Sequence, residues 1–246
     1  ASGLDAATED KFTASDNAGS DVFGVHAAFA GDVNGDGYDD LIVGADLDDD
    51  SGSASGSAYV YLGSGSGLDT STEDKLTASD GAAGDHFGAA VAAAGDLDGD
   101  GYDDVIVGAP EDDDNGSASG SAYVFYGASS GIGAGQDKLT AGDGAADDAF
   151  GAAVTGAGDL DGDGYDDVVV GAYAADNVGA AYAVFGSADG VDADSEQVLT
   201  AADGATDDFF GFAVADAGDL DGNGYDDLLV GVYGAEAGEL HVFGGG

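Results

Sequence analysis

The sequence predicts an all-β protein, a β-propeller of four blades with four antiparallel strands each, and three observations predict it. An acidic loop recurs four times, as GDVNGDGYDD from Gly31, GDLDGDGYDD from Gly95 and again from Gly158, and GDLDGNGYDD from Gly218. A Phe-Gly pair precedes each loop, at Phe23-Gly24, Phe87-Gly88, Phe150-Gly151 and Phe210-Gly211, with intervals of 64, 63 and 60 residues. Each loop then runs into a short apolar stretch, LIVGA, VIVGA, VVVGA or LLVGV, of strand length and without helical periodicity. Repeats of this length mark a repeat architecture, and four short strands per repeat make one propeller blade.

The second repeat shows the elements in order. Small residues at 88–94 form strand A, the acidic loop reverses the chain, 104–109 form strand B, 121–126 (SAYVFY) form strand C, and strand D lies around 138–141. The same order divides one domain, 1–246, into repeats at about 17–80, 81–143, 144–203 and 204–246, with 1–16 left as a closing strand. Residues 9–16 (EDKFTASD) match 73–80 (EDKLTASD), a strand D with no blade before it, whereas the last repeat stops after its strand C at Phe243. An unpaired sheet edge invites association, so the N-terminal strand is expected to complete the last blade. Closure in cis gives a four-bladed ring and is favoured by the higher effective concentration of the local strand. Closure in trans gives a larger ring or, where the rotation does not close, a filament built by strand donation.

Each loop supplies oxygen at positions 1, 3, 5 and 9, a backbone carbonyl at 7, and Gly at 6 where the chain turns sharply. The sets are Asp32, Asn34, Asp36, Tyr38 and Asp40; Asp96, Asp98, Asp100, Tyr102 and Asp104; Asp159, Asp161, Asp163, Tyr165 and Asp167; and Asp219, Asp221, Asn223, Tyr225 and Asp227. An all-oxygen cage suits Ca²⁺, since Mg²⁺ keeps more water and Zn²⁺ takes His or Cys. Four Ca²⁺ sites are expected, the second and third tightest because they carry one carboxylate more. An EF-hand is excluded, because its position 12 needs Glu and Val43, Val107, Val170 and Val230 stand there.

The chain has 51 acidic residues, three Lys and no Arg, for a net charge of -48. Only 18 of the acids lie in the loops, so calcium leaves most of them unexplained. Such a surface repels itself in dilute buffer and is screened in molar salt, which points to a halophilic source. It also argues against nucleic acid and anionic membranes as partners. No cysteine is present to staple the fold, leaving metal as the cross-link. No apolar run approaches the length of a membrane-spanning helix, so no membrane insertion is expected. The start at Ala1 reads as that of a mature or trimmed product.

The FG pairs, the DxDGDGxxD loops and Gly108-Ala109-Pro110 together resemble the FG-GAP repeat of integrin α-subunit propellers and their microbial relatives. The resemblance covers nearly the whole chain and implies calcium at the loops between strands A and B. GAP is replaced by Gly44-Ala45-Asp46, Gly171-Ala172-Tyr173 and Gly231-Val232-Tyr233, and integrin propellers have seven blades, so ligand recognition is not carried over.

Lys11, Lys75 and Lys138 share one repeat position, with Val198 in the fourth, and read as guards of an outer edge strand. His26, His86 and His241 occupy unrelated positions and form no shared centre. The chain offers no nucleophile-base pair, so no enzyme is expected. It reads instead as a non-catalytic, extracellular, calcium-binding module for adhesion, interaction or assembly. The alternatives are a subunit of an extracellular filament and a lectin-like binder of surface glycans.

Overall fold

The computed structural model describes residues 11–16, 19–193, 195–234 and 238–246. Strands β1 (Ala27–Gly31), β2 (Asp40–Ala45), β3 (Ser57–Tyr61) and β4 (Asp74–Leu76) form the first antiparallel sheet in that order. The second holds β5 (Ala90–Gly95), β6 (Asp104–Ala109), β7 (Ser121–Ala128) and β8 (Gly131–Leu139). The third holds β9 (Phe150–Gly158), β10 (Asp167–Ala172), β11 (Ala180–Val184) and β12 (Gln197–Leu199). The fourth holds β13 (Phe210–Gly218), β14 (Asp227–Val232) and β15 (Glu239–Phe243). These are the four blades of a propeller, with almost no helix. In every blade the pairing shifts register where the first strand runs into the acidic loop, as between Ala93 and Gly95. That bulge frees the next residue, Asp96 in the second blade, to turn into the loop.

The apolar alternation of the strands is used on both sheet faces, and the core lies between blades. Ile42, Ala58 and Val60 of the first blade pack with Val105, Val107 and Tyr123 of the second. Ile106, Ala122 and Val124 of the second pack with Val168, Val170 and Tyr182 of the third. Val169, Ala181 and Ala183 of the third pack with Leu228, Val230 and Phe210 of the fourth. Burying both faces explains why the second strand of each blade reads as an unbroken apolar run. The FG and GA motifs mark the places where blades touch through backbone. Gly88 has φ +91°, and a Cβ there would lie 2.3 Å from the Ser57 carbonyl oxygen of the blade before it. A Cβ at Gly44 would lie 2.0 Å from the Gly88 carbonyl oxygen. Only glycine permits both the left-handed backbone and the close approach.

The expected closing strand is described only in part. Among the described residues the fourth sheet has three strands, and nothing pairs with the outer edge of β15. Residues 11–16 lie against the first blade, where Phe12 meets Tyr61 and Phe23 edge-on at centroid distances of 4.8 and 6.0 Å. Asp16 accepts hydrogen bonds from Tyr59 Oη at 2.9 Å and Lys75 Nζ at 2.6 Å. The anchors of this segment thus belong to the first blade, as those of Asp80 belong to the second. The rest of the expected strand, residues 1–10, lies outside the described residues. The inner strands β1, β5, β9 and β13 pack one on the next, but β13 and β1 form no such joint, so the described array is an open arc of blades.

Candidate metal centres

The four acidic loops lie at one end of the blades, and each is shaped by its own carboxylates. In the second loop Asp96 accepts from the Asp100 and Gly101 amides, each at 3.0 Å, and Asp98 accepts from the Asp100 amide at 3.0 Å. Asp104 is fully buried and spans the base, accepting from Leu97 N and Gly127 N, each at 2.8 Å. The same bonds recur in the third loop from Asp159, Asp161 and Asp167, and in the fourth from Asp219, Asp221 and Asp227. In the first loop Asp32, Asn34 and Asp40 make them, with the Asn34 amide oxygen in place of a carboxylate.

This folding brings three carboxylates together in each of three loops: Asp96, Asp98 and Asp104; Asp159, Asp161 and Asp167; Asp219, Asp221 and Asp227, with ligand oxygens within 4.8 Å of one another. Oxygens on opposite sides of a calcium ion lie up to about 5 Å apart, so the spacing fits the ion. The position-5 groups Asp36, Asp100, Asp163 and Asn223 stand outside these groups, each accepting from the amide of the Tyr two residues on. The structure therefore separates positions 1, 3 and 9 from position 5, a division that loop spacing does not reveal.

The electrostatics match an uncompensated anion cluster. Burial pushes Asp104 up to about 7, with Asp98 and Asp96 adding to the rise against the opposing amide bonds. Burial likewise pushes Asp167 up to about 7, with Asp161 and Asp159 adding. Asp40 and Asp98 are raised for the same primary reason. A divalent cation would neutralise these charges in place.

The loops are also joined to one another. Asp103 accepts from the Asp32 amide at 2.7 Å, Asp166 from the Asp96 amide at 2.9 Å, and Asp226 from the Asp159 amide at 3.1 Å. The Tyr102, Tyr165 and Tyr225 rings pack over Gly35, Gly99 and Gly162 of the preceding loop. Tyr38, with no preceding loop beneath it, is half exposed. Each loop thus closes on its neighbour through positions 7 and 8, whose side chains the sequence reading left without such a role.

The lysines correct a further expectation. Lys75 and Lys138 do sit on outer strands, but each ammonium turns inward. Lys138 Nζ binds Asp80 at 2.8 Å, Asp112 at 3.0 Å and Asp114 at 2.5 Å, and lies 5.2 Å from the centre of the Tyr123 ring. Lys75 binds Asp16 at 2.6 Å, Asp48 at 3.2 Å and also Asp50, over the Tyr59 ring. Asp16, Asp48 and Asp50 form a fourth group with metal-ligand spacing, and the Lys75 ammonium already occupies it. The signal was present across the repeats: where Val198 replaces the lysine, Ala174-Ala175-Asp176 replaces the aspartate run. Lys11 is exposed.

Models of the FG-GAP repeat match residues 23–61, 150–185 and 210–243, and a second FG-GAP model matches 70–125. The chain is 35% identical over 225 residues to integrin alpha pat-2 of Caenorhabditis briggsae, a match covering 85% of this chain and 18% of that protein. It is 39% identical over 140 residues to integrin alpha-6 of Gallus gallus, covering 55% and 12%. Against human integrin alpha-IIb it is 36% identical over 157 residues, covering 62% and 15%. The matches span less than a fifth of the length of these relatives.

Proposed function

The chain belongs to the FG-GAP repeat family, and from that premise we propose that it is a non-catalytic interaction module, displayed outside the cell and stiffened by calcium. One observation carries the reading: in three loops one buried carboxylate converges with two nearer the surface, and the loops are bonded to one another across the blades. Asp96, Asp98 and Asp104, and their counterparts in the third and fourth loops, would hold the ion; Asp32, Asn34 and Asp40 would do so in the first. When bound, calcium supplies positive charge that offsets the repulsion within each loop. The protein's own part is geometric. Amide bonds to Asp96 and Asp104 fix two ligands of the site, and Asp103, Asp166 and Asp226 transmit the position of one loop to the next. A chain held this way presents the loops at its opposite end on a rigid frame, where recognition is commonly placed. The integrin alpha relatives support a cell-surface setting and protein partners. Among the described residues no helix is long and apolar enough to cross a membrane.

The test is thermal unfolding at fixed molar ionic strength with excess chelator, then with calcium. Calcium should raise the melting temperature of the chain, and Asp98→Asn should reduce the rise. Identical melting with and without calcium would remove the basis of the proposal.

A further inference from the structure

The two ends of the arc carry the halves of a joint that the structure makes three times internally. Ala58 and Val60, Ala122 and Val124, and Ala181 and Ala183 are buried under the blade that follows them. Their counterparts in the fourth blade are Leu240 and Val242, larger and yet 64% and 56% exposed. Leu97 is fully buried, whereas Leu220 at the same loop position is 61% exposed. At the other end, a groove lined by Phe12, Phe23, Ala27, Leu41 and Val43 opens on the first blade. It lies on the side that the later blades bury against their predecessors.

The polar groups are divided in the same way. Internal joints are closed by Ala128 N–H to the Val33 carbonyl, Ser187 N–H to Leu97 and Gly246 N–H to Leu160, each 3.0 Å. The counterparts left at the ends are the Ser64 amide and the Leu220 carbonyl. Asp103, Asp166 and Asp226 each reach the amide of the preceding loop, and their counterpart at the open end is Asp39, with Asp219 waiting at the other. Beside Gly218 and Gly222, where internal joints place that aspartate and the tyrosine ring, the structure has nothing within 4 Å.

We propose that a second copy of this chain docks its first blade onto the fourth blade, head to tail, and remakes the internal joint across the contact. Asp39 of one copy caps the Asp219 amide of the other, Tyr38 covers Gly222, and Leu220, Leu240 and Val242 enter the groove. The fourth acidic loop, complete in its own bonds, gains the cap from a following loop only in this contact. The segment at Lys11, already seated on the first blade, arrives at the open edge of β15 and can supply its fourth strand, as Lys75 on β4 lies opposite Tyr59 on β3. The contact is heterologous and leaves one free face on each copy, so it continues into a larger ring or a filament. The like charge of the chains opposes it, and molar salt screens that repulsion. This inference rests on the interaction-module reading and names its partner; the calcium response is read separately below.

The experiment is light scattering with sedimentation velocity on the 246-residue chain in molar salt with calcium, over a wide concentration range. One variant, Val25→Asp with Tyr38→Ala, alters only the first-blade face, Val25 being the exposed residue next to Gly24 of the groove; another, Leu220→Asp with Leu240→Asp, alters only the fourth. All four side chains are exposed, so folding is retained, which the calcium-dependent melting of each variant checks. The parent should self-associate, each variant should do so about tenfold more weakly or not at all, and an equimolar mixture should form a one-to-one dimer that grows no further. A parent that stays monomeric at all concentrations would overturn the proposal, whether its ends close on each other or remain free. So would a variant that still self-associates as the parent does, or a mixture that forms no dimer. Failure here with calcium-dependent melting intact leaves the module reading standing; loss of both removes the two together.

Discussion

Replacing Asp104 by Asn should remove a defined part of the pH dependence of stability in the metal-free protein. Asp104 is fully enclosed, and its carboxyl is pushed from 3.8 up to about 7. Between those values the folded protein holds a proton that the unfolded chain has released, so stability falls as pH rises through the window. The difference is roughly 3 pH units, which at about 1.4 kcal/mol per unit gives about 4 kcal/mol. That is a large share of the roughly 5–15 kcal/mol by which domains are stable. Asn cannot ionise and carries only a constant cost from its mismatched amide bond. Guanidinium unfolding of parent and variant in chelator, from about pH 4 to pH 7.5 at fixed ionic strength, isolates the effect, since Asp167 titrates alike in both. The advantage of the parent should shrink by about 4 kcal/mol across the window, and calcium should abolish the shrinkage by stabilising the ionised form. Neither lysine hub interferes. Lys75 and Lys138 are raised above 10.5, so their contribution is present below that value and lost only above it. Asp16 and Asp80 are lowered below 3.8 by the lysines and tyrosines they meet, despite burial, so theirs is lost only as pH falls beneath the window. A parent-to-variant difference that stays constant with pH would refute the reasoning.

Three further outcomes are expected. Lys138→Met strands the buried Asp112 carboxylate and should cost about 3 kcal/mol or more in guanidinium unfolding at neutral pH, whereas Lys11→Met at its exposed counterpart should change stability by no more than about 0.5 kcal/mol. Gly24 and Gly88 both have φ +91°, but a Cβ at Gly24 meets nothing within 4 Å and one at Gly88 meets the Ser57 carbonyl oxygen at 2.3 Å. Gly24→Ala should therefore cost about 1 kcal/mol and Gly88→Ala about 2 kcal/mol more, the excess reporting the joint between blades. Asp103→Ala removes the partner of the Asp32 amide and should weaken calcium at the first loop about tenfold, read by calorimetric titration, with the third loop unchanged.

Local chemistry was legible and neighbourhood was not. The β-branched runs that became β2, β6, β10 and β14 begin at Asp40, Asp104, Asp167 and Asp227, where each loop ends, because the loop and the strand are adjacent in sequence. The convergence of positions 1, 3 and 9 is also local, but spacing alone did not set them apart from position 5. Which blade an apolar face meets depends on residues of another repeat, so the core between Val60 and Val107 had no local signature. The lysine hubs were missed for the same reason, as Lys138 gathers Asp80, Asp112 and Asp114 from three segments. The closing strand is described only from Lys11 on, and that part holds the first blade as its repeat counterpart holds the second. Asp16 follows the pattern of Asp80, which serves the next blade rather than its own. Position 5 was counted as a ligand on sequence grounds; it stands outside the clustered groups, with one oxygen of Asp100, Asp163 and Asn223 accepting a backbone amide as Asp96 and Asp98 also do. Over positions 1, 3 and 9 the fourth loop matches the second and third in clustered carboxylates, and only the first has an amide there, Asn34, so the first should be the weakest site.

The most direct test is the number of calcium ions held per chain, measured by equilibrium dialysis of the chelator-treated protein at molar ionic strength. Four loops with the bonding geometry of Asp96 to Asp104 should take up four ions, with the melting temperature rising as they fill, and Asp98→Asn should lose or weaken one of them. A chain that binds no calcium under these conditions, or binds it with no change in melting, would contradict the reading of the loops as calcium ties between blades.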